Sequence, residues 1–271
     1  LQGGTHMGQW IFRDEALPES AVAALDARHD TLEKASVKVG RRRNSYLVRI
    51  AERTYFVKIE RFKPLSVKRG LRVLFPRSSR LVREARLHQA AYAAGVRVPT
   101  PYLCFEGVLL MELLVDANGN AAPRLNDVEM SAELARDYHQ QLLKQVVLML
   151  CAGVIHGDLS EYNILVDEQG PVIIDLPQAV DAAGNLQAAA MLERDVDNLA
   201  EYFGQFAPEL NETHYGKELW ALYESGLLHP DVQLTGRVKL DFRPVNVRAV
   251  LREVEHVKEA HLQRQLPEFE A

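Results

Sequence analysis

Residues 154–176 read VIHGDLSEYNILVDEQGPVIIDL, short apolar runs alternating with polar turns. Val154-Ile155 leads into His156-Gly157-Asp158-Leu159. Ile164-Leu165-Val166 is followed by Asp167-Glu168-Gln169-Gly170, a hairpin-like turn signal, and Val172-Ile173-Ile174 then delivers Asp175. Asp158, Asn163 and Asp175 therefore fall at the ends of short apolar segments, where a strand or turn holds a side chain rigidly. Oxygen donors so placed suit Mg²⁺, which takes one or two carboxylates plus substrate phosphates instead of a closed protein cage.

The spacing extends the argument. Asp158 and Asn163 share one loop, and Asp175 follows the next strand. That is the layout of a kinase catalytic loop and metal loop, in which one Asp accepts the substrate proton while an Asn and a second Asp hold Mg²⁺. A single Asp or Asn of this kind reads as a turn cap. The three together, with His156 and apolar flanks, point to catalysis.

The stretch resembles the RIO family of atypical kinases. Ordinary protein kinases carry a Lys two residues after the catalytic Asp, where this chain has Ser160. The Asp158-Leu-Ser-Glu-Tyr-Asn163 string, the Ile-Ile-Asp175 ending in place of Asp-Phe-Gly, and Leu176-Pro177-Gln178-Ala179-Val180 are similar to that family. The resemblance is strong from about Ala94 to Tyr223 and weak before Leu81. It implies a two-lobed, α+β, protein-kinase-like fold. Residues 8–112 would form a small β-rich lobe with one main helix, and 113–271 a mostly helical lobe. Asp158 would be the catalytic acceptor, with Asn163 and Asp175 holding the metal.

Composition sets outer limits. A chain of 271 residues permits one two-lobed domain or two small ones. Nearly half the residues are apolar and a quarter charged, an ordinary globular balance. No apolar run approaches the roughly 20 residues of a membrane span. Cys104 and Cys151 have no metal spacing and cannot build a disulfide framework, so both are expected as small core residues in a reducing cytoplasm. Residues 1–7 (LQGGTHM) read as a cloning remnant.

The net charge of -5 hides an asymmetry. Between Lys38 and Arg86 the only acids are Glu52, Glu60 and Glu84, against a long series of Lys and Arg. Such a block could attract ATP phosphates, RNA or an anionic headgroup, or form a solvated face.

Within the small lobe, helical spacing of Leu17, Ala21, Val22 and Leu25 predicts a short helix over Trp10 to about Thr31. Val37 to Glu60 reads as a strand meander, with SYLVRI and TYFVKI separated at Ala51-Glu52-Arg53. Lys58 lies where a kinase strand lysine meets the ATP α- and β-phosphates, or is a surface lysine. Gly40-Arg41-Arg42-Arg43-Asn44-Ser45-Tyr46 shares Gly40, Asn44 and Tyr46 with the RIO phosphate loop, so the resemblance implies nucleotide contacts at Gly40, Arg41 and Asn44. The arginines either add charge-assisted contacts or form a solvated turn.

Residues 61–80 are basic and turn-rich, and Val67 to Phe75 has helical character. Leu81 to Ala94 reads as a helix capped at Gly95. Glu84 is the expected partner of Lys58; an i,i+4 pair with His88 or Arg80 is the alternative. Tyr102 to Leu114 gives two strands around Glu106-Gly107. Met111-Glu112-Leu113 resembles the gatekeeper and hinge whose backbone binds adenine, with Met111 equally readable as a buried strand end.

Asp116 to Arg124 is a polar linker, and Val128 to Gly153 a buried helix striped by Leu134, Tyr138, Leu142, Val146, Met149 and Leu150. His139 reads as structural, and His156 as orienting its loop. After Asp175 only a short turn precedes a helix expected over Leu186 to Phe203, leaving little room for an activation loop. The Arg194-Asp-Val-Asp-Asn198 string is RIO-like, with Asp195 expected as a loop anchor and Asp197 as helix surface. Tyr215 to Leu227 and Val247 to Gln265 complete the helices.

The resemblance implies serine phosphorylation, often of the protein itself, or an ATPase cycle in which Asp175 is transiently phosphorylated. ATP and Mg²⁺ are the expected cofactors, with Mn²⁺ as the alternative metal. The acceptor is a protein or this chain, and RNA or a ribosomal particle could dock on the basic lobe. The small lobe faintly resembles lipopolysaccharide-core sugar kinases, which leaves a small-molecule kinase as one alternative. A non-catalytic RNA- or ribosome-docking module is the other.

Overall fold

The computed structural model describes residues 10–13, 37–38, 45–50, 53–59, 80–105 and 108–238. Six strands form one antiparallel sheet: β1 (Trp10–Arg13), β2 (Val37–Lys38), β3 (Ser45–Ile50), β4 (Arg53–Ile59), β5 (Pro101–Phe105) and β6 (Val108–Glu112). Their order is β1-β5-β6-β4-β3-β2, which puts β4 inside the sheet between β6 and β3. Tyr55, Val57 and Ile59 are buried on one face of β4 together with Tyr46, Tyr102 and Leu110. Strand side chains alternate faces. Phe56 and Lys58 therefore point the other way, and Phe56 packs on Leu81 and Ala85 of helix α1 (Arg80–Ala93) with Leu109 and Met111. Lys58, two residues beyond Phe56, is thereby delivered to the α1 side of the sheet.

Helix α1 ends at Gly95, whose φ of +82 suits glycine, and the Val96 N–H donates to the Ala91 carbonyl across that turn at 3.1 Å. The chain then runs through Arg97, whose guanidinium grips both Asp167 carboxylate oxygens at 2.7 Å. The Arg97 N–H donates to Gln145 Oε1 at 2.7 Å, and its carbonyl accepts from Ile173 N at 2.9 Å. This one residue ties the connector after α1 to the elements that carry the polar loop.

The helical part contains α2 (Ala132–Cys151), α3 (Ala188–Gly204) and α4 (Tyr215–Glu224). The Ser131 hydroxyl caps α2 by accepting from Leu134 N at 3.1 Å. The predicted stripe is buried at Leu142, Val146, Met149 and Leu150, against Leu192, Val196, Leu199 and Phe203 of α3, while Leu134 and Tyr138 are half-buried. Ile155, Leu159, Ile164 and Ile173 enter the same core from the polar stretch. Each fully buried Leu or Ile contributes about 1.5–3 kcal/mol. Leu159 is 0% exposed, so the segment between His156 and Asn163 is pegged to the core between its polar residues.

Three expectations are corrected. Trp10–Arg13 is a strand paired with β5, not the start of a helix. Its Trp-Ile-Phe run is rich in strand formers, and the helix-spaced Leu17 to Leu25 lie outside the described residues. Cys104 is buried as expected, but Cys151 is exposed at the last turn of α2. Helix α3 begins at Ala188 rather than Leu186, because Asn185 Oδ1 accepts from Gln187 N at 2.8 Å and offers the backbone a turn in place of a helical bond. Val67 to Phe75 and Val247 to Gln265 lie outside the described residues. Among the described residues no helix is long and apolar enough to cross a membrane.

Candidate active site

The polar stretch folds around a hairpin of β8 (Ile164–Asp167) and β9 (Gly170–Ile173). Asp167 pairs with Gly170 and Ile164 with Ile173, so Glu168-Gln169 forms the tip. Beyond the last pair, the Ile174 N–H donates to the Asn163 carbonyl at 2.9 Å. Asn163 and Asp175 thus leave the hairpin at the same open end. Asp175 has φ 62, the only non-glycine positive φ among the described residues. Asp tolerates this region better than most residues, yet it costs of order 1 kcal/mol or more. Strain of this kind collects where a side chain must be aimed.

Lys58 reaches this end from the sheet. Its Nζ donates to Glu84 Oε1 at 2.5 Å and to Asp175 Oδ1 at 2.6 Å. The three side chains are 14%, 7% and 37% exposed respectively. Burial acts to lower the Lys58 pKa, but the charges and hydrogen bonds of Glu84 and Asp175 outweigh it and hold the ammonium above its usual range. The helix-surface alternative for Glu84 is not adopted: His88 instead sits 2.6 Å from the Pro99 carbonyl, buried. Burial first, then the nearby Lys58 charge, push His88 down to about 4 against its carbonyl hydrogen bond.

The loop around Asp158 leaves β7 (Val154–Ile155), which pairs with β10 (Val180–Asp181). His156 bridges the two polar segments: Nε2 donates to the Ile174 carbonyl at 3.0 Å, and Nδ1 accepts from Asp158 N at 3.3 Å. This is the orienting role its sequence position suggested. Asn163 Nδ2 donates to the Asp158 carbonyl at 2.7 Å and lies 3.4 Å from Asp158 Oδ2. Asp195 anchors the loop from α3, accepting from Gly157 N at 2.7 Å and Leu159 N at 2.9 Å. Burial pushes its carboxyl up, opposed by these two amides and the nearby Arg194 charge.

Two contacts escaped the sequence reading. The Arg194 guanidinium donates to the Gly157 carbonyl, and Asn198 Nδ2 donates to the Leu159 carbonyl at 3.0 Å. The signal was available in the Arg194-Asp195 and Asn198 spacing, which puts all three on one side of a helix whose Leu192, Val196 and Leu199 are buried.

Met111 is buried in the α1 cluster. Glu112 is tied to Thr100, just ahead of β5: its N–H donates to the Thr100 carbonyl at 2.9 Å, and Oε2 accepts from Thr100 N and Oγ1, each at 2.9 Å. Leu113, half-buried, follows the strand end. Gly40, Arg41 and Asn44 lie outside the described residues. Among the described residues no three His, Cys, Asp or Glu side chains gather as a closed metal cage. Asn163 and Asp175, at one end of the hairpin, each carry an oxygen donor, and a hard cation takes a few such donors when its other ligands come from phosphate and water.

The RIO domain matches residues 25–215 of the chain. The chain is 38% identical over 120 residues to the RIO-type serine/threonine-protein kinase Rio1 of Haloferax volcanii, covering 42% of this chain and 38% of that protein. It is 39% identical over 113 residues to Rio2 of Methanocaldococcus jannaschii, covering 41% and 40%. Against Rio1 of Thermoplasma acidophilum it is 36% identical over 110 residues, covering 41% and 55%. The chain thus spans between 38% and 55% of the length of these relatives.

Proposed function

The chain belongs to the RIO family, and from that premise and the site's geometry we propose that it is an atypical serine/threonine kinase or ATPase that transfers the γ-phosphate of ATP. The observation that carries this reading is the meeting of Lys58 with Glu84 and Asp175, 26 and 117 residues away in sequence. A half-buried lysine between two carboxylates, beside an open pair of oxygen donors, is the arrangement phosphoryl transfer requires.

In this reading Asn163 Oδ1 and the Asp175 carboxylate hold Mg²⁺, with Mn²⁺ as the alternative. The bound cation supplies charge neutralisation on the phosphate oxygens. Lys58 grips the α- and β-phosphates, and Glu84 keeps its ammonium at the cleft when the phosphates draw it from Asp175. Asp158 accepts the proton of the acceptor hydroxyl or orients it, at a position fixed by His156 and Asn163. Gly40, Arg41 and Asn44 line the phosphates, backbone groups of the hinge at Glu112 and Leu113 meet the adenine, and Met111 shapes its pocket. Residues 8–112 form the nucleotide-holding lobe and 113–271 the catalytic one. The three relatives are all serine/threonine-protein kinases, which favours a protein hydroxyl, this chain's own included, over a sugar. A cycle through phospho-Asp175 is the ATPase form of the same chemistry.

Incubation with γ-labelled ATP and Mg²⁺, with mass-spectrometric location of the label, tests the proposal. Phosphoserine, phosphoaspartate or released phosphate is expected, and Asp175→Ala should weaken Mg²⁺-dependent ATP binding. A folded preparation that shows no label transfer and no phosphate release would refute it.

A further inference from the structure

The tripeptide Gly157-Asp158-Leu159 belongs to no strand or helix. A buried peptide group left unpaired costs about 1–3 kcal/mol, so a segment without a ladder must find partners elsewhere. Here side chains supply all of them. Asp195 takes the Gly157 and Leu159 N–H groups, and His156 takes the Asp158 N–H. Arg194 takes the Gly157 carbonyl, Asn163 the Asp158 carbonyl, and Asn198 the Leu159 carbonyl. Every main-chain polar atom of the three residues is thus held by a side chain.

The bonds divide by peptide plane. The plane entering Asp158 carries the Gly157 carbonyl and the Asp158 N–H, so it is held at one end by Arg194 and at the other by His156. The plane leaving Asp158 is held by Asn163 and Asp195. A plane held at one end can rock; held at both, it fixes the backbone angles from which the Asp158 side chain is launched. The next plane carries the Leu159 carbonyl, bound by Asn198. It leads into Ser160, whose carbonyl accepts from Asn163 N at 2.9 Å and so sets the turn that presents Asn163.

We infer that Arg194 and Asn198 are positioning residues of the phosphoryl-transfer site: Arg194 aims Asp158, and Asn198 sets the turn that aims Asn163. The inference rests on the proposed function for its kinetic consequence, but not for its structural one. Arg194 is an exposed helix residue and Asn198 is half-buried. Their bonds therefore add little to global stability, and their value lies in where they hold the loop. Neither side chain touches a reacting atom in this scheme; each acts through a carbonyl.

Two readouts on the full chain separate this from a merely structural role. The first is hydrogen exchange followed by mass spectrometry. In Arg194→Ala and Asn198→Ala, exchange over residues 156–163 should speed about tenfold with α2 and the six-stranded sheet unchanged. The second is turnover of γ-labelled ATP. Arg194→Ala should lower kcat about tenfold at unchanged KM for ATP, and Arg194→Lys, which keeps a donor, should restore most of it. Asn198→Ala should instead raise several-fold the Mg²⁺ concentration needed for half-maximal turnover. Unchanged exchange over residues 156–163 overturns the inference, as does a loss in which kcat, KM and melting temperature fall together. A wild-type chain without turnover would sink the proposed function, and the exchange measurement would then decide the positioning role by itself.

Discussion

Lys58 and Asp175, 117 residues apart in the chain, meet at 2.6 Å. The same carboxylate is the one assigned to the metal. Lysine and divalent cation therefore compete for it, until nucleotide phosphates offer the ammonium another anion. Divalent cation should bind the nucleotide-free protein weakly and bind much more tightly once ADP or ATP is present. Lys58→Met should raise the affinity for Mn²⁺ alone about tenfold, the effect of removing a partly screened positive charge. ATP turnover should fall at least a hundredfold in the same variant. Electron paramagnetic resonance of free Mn²⁺ reads the first effect directly, and an unchanged affinity would contradict the competition.

Asp158→Asn keeps the shape of the side chain but removes the proposed proton acceptor. Loss of a general base typically costs 10²–10⁴-fold. Turnover should drop at least a hundredfold while ATP binding, followed by fluorescence or calorimetry, stays within a factor of about two. Equal loss of binding and turnover would mean that Asp158 holds nucleotide rather than acceptor.

His139 gives the fold an acid limb. It is buried on α2 with no hydrogen-bond partner for Nε2, edge-on to Phe203 at 5.8 Å and tilted against Tyr215 at 5.8 Å. Burial lowers it from 6.5 to about 4. Above pH 6.5 the ring is neutral in both folded and unfolded chains, and stability is complete. As pH falls from 6.5 toward 4, the unfolded chain takes up a proton that the fold refuses, and stability is lost, by up to about 3 kcal/mol. His88 titrates in the same window. His139→Phe should therefore remove roughly half of this acid loss and leave the rest, as measured by urea unfolding at pH 7.5 and pH 5. An identical acid loss in the variant would count against His139.

Gly157 and Gly153 make a matched pair. Both have positive φ, +80 and +74, so alanine strains the backbone at either by about 1–2 kcal/mol. A Cβ at Gly153 meets nothing, whereas one at Gly157 would lie 2.7 Å from the Gln178 carbonyl and 2.6 Å from Met191 Cε. Gly153→Ala should lower the melting temperature by a few degrees and leave turnover intact. Gly157→Ala should lower it further and also depress turnover, because the added methyl displaces the plane that Arg194 and His156 hold. Equal thermal shifts in the two variants would dismiss the clash.

Much of this was legible in the residues themselves. Strand alternation in TYFVKI puts Lys58 on the face of Phe56, and the helix over Leu81 to Ala94 carries Glu84 one turn in, so their pairing follows from periodicity once the two elements pack. The hairpin of residues 164–173 is announced by its turn chemistry, and the α2 stripe by its 3.6-residue period. The misses have physical causes. Trp10–Arg13 is a short edge strand whose identity depends on a partner, β5, more than 80 residues away, and no local pattern encodes that. Cys151 was assigned to the core by residue type, but it falls on the solvent side of the last helical turn. Spacing puts Arg194 and Asn198 on the same side of the helix as Asp195, but it does not say which backbone atoms they meet. Only the approach of α3 to the loop reveals it.

Both oxygen donors of the open pair spring from one β-ribbon, and this makes the two arms of that ribbon a ruler. An extra residue at Glu168-Gln169 lengthens the tip and leaves the far end untouched. An extra residue inside either arm turns everything beyond it over to the opposite side, because side chains in a strand alternate with a period of two. The ribbon can therefore absorb insertions and deletions at one end only, and lineages or designs that vary it will do so at the tip.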